Sequence, residues 1–183
     1  MVYRLTSTYS AQLAAVLGLP FAFASHFAPT HLHDALKLYR RHFTASDQLQ
    51  QPYSMACINV IAADTDKEAQ YLASSFYRLA LGIVTGERKP LQPPIKSMEG
   101  IWAEYEKAAV LQMMQYTFIG SAKTVREGLQ SFLNDTGVDE IMVASYIYDN
   151  ASKIRSYELI APFFKKTGVG VPEQTRIDKT QRG

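Results

Sequence analysis

From Tyr53 to Ala63 the chain is one long apolar run, without the alternation of a strand that faces water on one side. Such a strand is buried on both faces, as strands are in a parallel sheet covered by helices. It runs straight into Thr65-x-x-Glu68, a capping box that opens a helix. That helix carries Ala69, Leu72, Phe76 and Ile83 on its apolar stripe to about Gly86. A buried strand feeding an amphipathic helix is the unit that organises the rest of the sequence.

Val2 to Leu5 reads as the end of a strand. Ser10 to Leu17 is a short helix with Leu13, Ala14 and Leu17 on one face and Gly18 as its cap. Leu19 to Ala24 is a buried strand. Pro29-Thr30 opens a helix to about Thr44, with Leu32, Leu36, Tyr39 and Phe43 inward and Lys37, Arg40 and Arg41 in water. Glu87 to Gly100, with Pro90, Pro93 and Pro94, is an irregular loop, and long irregular insertions are often functional. Ile101 to Gln115 is helical and Tyr116 to Ile119 a short extended piece. Gly120-Ser121 starts a helix with Val125, Leu129, Phe132 and Leu133 on one face, ending near Gly137. Asp139 to Tyr148 is a strand and Asn150 to Lys165 a last helix.

Strands alternating with helices imply right-handed βαβ units and a parallel sheet. Four strands with helices on one side make either a small open α/β sheet or half of a (β/α)₈ barrel. The expected domain covers residues 1–166, with an insertion at about 87–115. Residues 167–183, with Arg176, Lys179 and Arg182 but no apolar period, are expected to be a loose basic tail.

With 183 residues, 47% hydrophobic and 20% charged, the chain can build one core. A net charge of +2 and the lack of a basic, aromatic-interleaved stripe argue against nucleic acid. The one cysteine, Cys57, excludes a disulfide framework, suggests a reducing, cytoplasmic setting, and reads as a small buried hydrophobe. No apolar run approaches the roughly 18 residues of a membrane span. Arg4, the Ala/Leu-rich stretch and Ala22-Phe23-Ala24 imitate a secretory leader, although Gln12, Gly18 and Pro20 interrupt it. An exported binding domain with residues 1–24 as leader therefore stands as a third reading.

The candidate site residues fall early. Thr6, Ser7, Thr8 and Ser10 gather hydroxyls where a helix begins, and free N–H groups there suit a phosphate. Ser7 or Ser10 as a plain helix cap is the alternative. Ser25 and His26 end a strand, where α/β enzymes place site residues, although polar residues also simply cap strands. His31, His33 and His42 have no metal-ligand spacing, so no metal is expected. Gly168-Val-Gly170 follows no strand and is not a dinucleotide loop. No nucleophile elbow, P-loop or carboxylate pair is present, and the tyrosines and phenylalanines fall at core periods.

The residues Ser7-Thr8-Tyr9-Ser10-Ala11, Ala14-Ala15, Gly18-Leu19-Pro20 and Phe21 through Pro29 resemble the luciferase-like flavin monooxygenases, in particular their alkanal monooxygenase-like subgroup. Further matches are Gly120-Ser121 with Thr124-Val125, Thr136 through Val143, Tyr148-Asp149 and Arg155 through Glu158. The resemblance implies a (β/α)₈ barrel that uses reduced FMN and O₂ on an aldehyde-like small molecule. It implies flavin phosphate contacts at Ser7 and Ser10, with Thr6 beside them, and pocket walls at Ser25 and His26.

A full barrel takes about 250 residues, and this chain starts at the family's fifth strand. The expectation is therefore the C-terminal half of a barrel, completed by a second copy as a dimer or by the missing N-terminal half. A non-catalytic half-barrel homodimer that keeps the fold without turnover is the alternative.

Overall fold

The third strand is the spine of the structure, a computed structural model that describes residues 3–4, 8–26 and 28–167. In chain order the elements are β1 (Tyr3–Arg4), α1 (Thr8–Val16), β2 (Phe21–Phe23), a 3₁₀ turn (Pro29–His31) leading into α2 (Leu32–His42), and β3 (Ser54–Ala63). They continue with α3 (Asp66–Thr85), α4 (Glu104–Met113), β4 (Thr117–Ser121), α5 (Ala122–Thr136), β5 (Glu140–Ala144) and α6 (Asn150–Thr167). All the strand pairs are parallel, as the alternation requires.

Backbone groups of alternate residues point to alternate edges of a strand, so the bonds of β3 assign its neighbours. Phe21 N–H donates to the Tyr53 carbonyl and Asn59 N–H to the Tyr116 carbonyl, both at 3.0 Å. β2 and β4 therefore share one edge, β2 along Ser54–Ala56 and β4 along Asn59–Ala63. Asp139 N–H donates to the Ser54 carbonyl at 2.9 Å and puts β5 on the other edge. Past the end of β5, Ala62 N–H would be orphaned; it donates instead to Ser156 Oγ of α6 at 2.9 Å. The order β1-β2-β3-β5 is that of successive strands in a β/α barrel, and β4 extends the far end of β3. Tyr116–Ile119, expected only as an extended piece, thus contributes a fifth strand.

The two faces of the sheet differ. Phe23, Ala56 and Ile141 lie abreast, as do Ile58 and Val143, and this face packs against α1, α2, α5 and α6. On the opposite face Ala22 and Met55 lie beside Glu140, and Cys57 lies beside Met142. Met142 is 53% exposed, and Met55 and Cys57 are only half-buried. Cys57 is therefore not the buried hydrophobe its sequence context suggests, because it points to the side that the helices do not cover. Only the distal part of that face is covered, where Ile61 and Ala63 pack with α3 and α4.

Local signals explain most boundaries. Thr65 Oγ1 accepts from Glu68 N–H at 3.1 Å, and Ser121 caps α5 by accepting from Thr124 N–H. α1 buries Ser10, Ala11, Ala14 and Ala15 rather than the expected Leu13, Ala14 and Leu17 face; it stops at Val16, and Leu17 lies beyond its last turn, 47% exposed. Gly18, at φ +61°, makes the turn, and a Cβ there would sit 2.5 Å from the Thr44 carbonyl oxygen. Among the described residues no helix is long and apolar enough to cross a membrane. The basic tail lies outside the described residues, apart from Thr167 at the end of α6.

Candidate functional site

The carboxyl ends of β2, β3 and β5 converge on one rim, and two hydrogen bonds fix the turn that leaves β2. Ser25 Oγ donates to the Cys57 carbonyl at 2.6 Å, and Asn59 Nδ2 donates to the His26 carbonyl at 2.8 Å. Ser25 and Asn59 are fully buried. The hydroxyl of Ser25 serves to pin the turn to β3. His26, 8% exposed, is thereby held at the wall of a cavity of about 430 Å³, within the range of small-molecule sites.

Phe76, Leu79 and Ile83 of α3, Met113 of α4 and Tyr146 after β5 line this cavity. Tyr146 stacks on Phe76 with ring centroids 4.6 Å apart and planes 10° from parallel, which stiffens one wall. His26, Arg88 and Lys89 are its polar lining. No carboxylate is among the described lining residues. The nearby rim carboxylates are engaged elsewhere: Asp64 pairs with Arg155 at 2.7 Å, and Asp66 Oδ1 accepts from Ser121 N–H at 2.6 Å and Thr124 Oγ1 at 2.8 Å. Those bonds, the Ser121 amide first, hold the Asp66 carboxyl below its ordinary pKa. Asn59 Oδ1 and Ser145 Oγ are buried with no hydrogen-bond partner among the described residues. Asn59 thus spends its amide donor on the His26 carbonyl while its Oδ1 stays buried.

Of the sequence-derived candidates, Thr6 and Ser7 lie outside the described residues. Ser10 is the third residue of α1 and fully buried. The first turn of α1 has no acidic side chain to repel an anion at its N-terminus. His31, His33 and His42 are on the surface, with His33 Nε2 3.3 Å from Asp135. No group of three metal-ligating side chains occurs among the described residues. Sequence reading passed over Asn59, Phe76, Arg88, Lys89 and Tyr146. Asn59, polar in the middle of an apolar run, carried a readable signal; Arg88 and Lys89 were marked only as part of an irregular proline-rich loop of a kind that is often functional.

No family model matches the chain. It is 46% identical over 160 residues to the uncharacterized protein YvbT of Bacillus subtilis, covering 87% of this chain and 48% of that one. It is 47% identical over 154 residues to a luciferase-like monooxygenase of Escherichia coli K12, covering 84% and 46% respectively. The chain spans about half the length of the curated relatives it matches. Among solved structures, apo-MsnO8 superposes with a TM-score of 0.74 at 27% identity, over 90% of this chain and 50% of that one. The long-chain alkane monooxygenase LadA shares the fold, with a TM-score of 0.57 at 18% identity over 91% and 41%.

Proposed function

We propose, for a chain that belongs to the luciferase-like monooxygenase family and spans about half the length of its relatives, that it acts as the C-terminal half of an FMN-dependent monooxygenase barrel using O₂ on an aldehyde-like small molecule. The observation that carries this reading is the order β1-β2-β3-β5 with a cavity at the strand carboxyl ends, where barrel enzymes hold their ligands.

What supports a flavin phosphate here is a first turn of α1 with no acid to oppose an anion, and Thr6 and Ser7 precede that helix in the sequence as the proposed hydroxyl donors. When bound, reduced FMN would supply the electrons that activate O₂. The chain's own part is to bind the phosphate, to place His26 through Asn59 and Ser25, and to keep water from the reacting atoms with Phe76, Leu79, Ile83 and Met113.

The face bearing Met55, Cys57 and Met142 is only partly covered within the described chain, and a second copy of the chain is the proposed cover. That open face also favours the second reading, a half-barrel dimer without turnover; acid formed from an aldehyde separates the two. Titration of FMN against riboflavin tests the cofactor assignment. FMN should bind more tightly, and Ser7→Ala should narrow the difference by about 0.5–1.5 kcal/mol or somewhat more for a charged phosphate. Equal affinities that Ser7→Ala does not change would refute it.

A further inference from the structure

The cavity at the rim combines an apolar interior with two cations and, among its described lining residues, no acid. Arg88 has no ion-pair or hydrogen-bond partner among the described residues. Lys89 is 3.9 Å from Glu87, and both are largely exposed, so the pair is weak. Glu87 lines the adjoining cavity of about 410 Å³ rather than this one. A neutral ligand would gain less from this charge pattern than an anion. An anion would meet guanidinium and ammonium donors at one end and Phe76, Leu79, Ile83 and Met113 along its body.

We propose that this cavity takes an amphipathic anion, its charged group at Arg88 and Lys89 and its apolar body against α3 and α4. The assignment rests on the monooxygenase reading for its catalytic meaning: it gives the aldehyde-like substrate an acid group of its own. The anionic group could also be the phosphate of a flavin, and the experiment separates these sources.

Calorimetric titration of the full chain with octanoate, octanol, inorganic phosphate, FMN and riboflavin reads the preference directly. Octanoate should bind about tenfold or more tightly than octanol, and Arg88→Gln should remove most of that preference while leaving octanol unchanged. Lys89→Gln should give a smaller loss in the same direction. Equal binding of octanoate and octanol overturns the proposal, as does an Arg88→Gln variant that keeps the preference. If Arg88→Gln weakens FMN but not riboflavin and octanoate competes with FMN, the cations serve the flavin phosphate and the substrate assignment fails. Octanoate binding that survives where FMN does not bind at all contradicts the cofactor reading and leaves the anion cavity standing.

Discussion

Asn59 Nδ2 lies 2.8 Å from the carbonyl oxygen of His26, in a bond between two positions 33 residues apart in sequence. It ties the middle of the longest strand to the turn that ends β2, and so sets where the imidazole meets the cavity. Replacing Asn59 with Ala removes the donor and leaves the His26 carbonyl buried without it. We expect a loss of about 1–3 kcal/mol in denaturant unfolding, together with a changed His26 environment by NMR. An unchanged midpoint and spectrum would show that the clamp does not position this turn.

Two glycines separate backbone strain from steric contact. Gly18 and Gly86 both have positive φ, +61° and +83°, but a Cβ at Gly18 would lie 2.5 Å from the Thr44 carbonyl oxygen while Gly86 has nothing within 4 Å. Gly86→Ala should cost about 1 kcal/mol, the strain of a left-handed residue alone. Gly18→Ala should cost clearly more, because the loop after α2 must also move. Similar thermal shifts for the two would contradict the close approach of these turns.

Alkaline unfolding should be sensitive to Tyr39. Its hydroxyl is buried, donates to the Leu19 carbonyl at 2.8 Å and accepts from Tyr53 N–H at 3.1 Å. Burial raises its pKa; the Tyr53 backbone bond opposes this and the Asp139 charge adds to it. With the folded value above the unfolded value of about 10, the folded state holds the proton more tightly. Its stabilising contribution is therefore fully present below pH ~10 and lost as pH rises through the folded value. Tyr39→Phe should lower stability at neutral pH by about 1–3 kcal/mol and flatten the alkaline fall. A variant with the parent's steep alkaline loss would assign that loss to other groups.

What could be read from the sequence followed periodicity. The run from Tyr53 to Ala63, the Thr65 cap and the stripe of Val125, Leu129 and Phe132 each carry a local signal; the cap and the stripe stand as expected, and the run forms β3 but is buried on both faces only along its distal part. β4 carried only a weak one: Tyr116–Ile119 reads as a short extended piece, and its place in the sheet comes from pairing with the distal edge of β3, a partner far away in sequence. The exposure of Cys57 depends on which face the helices cover, which no local pattern states. His26 was visible as a strand-end residue. Phe76 reads as ordinary core along α3 and becomes a cavity wall only once α4 and Tyr146 are placed around it. Arg88 and Lys89 line the cavity where the chain after α3 turns back on its last turn, the Glu87 carbonyl 2.7 Å from where a Cβ on Gly82 would sit.

The central claim is that this chain is a half-barrel whose open sheet face is closed by a second copy. Light scattering of the purified chain at micromolar concentration tests this most directly. The account predicts a mass of at least twice 20.5 kDa, with Met142→Glu, at a position 53% exposed in the single chain, shifting it toward the monomer. A stable monomer of 20.5 kDa across that range would contradict it.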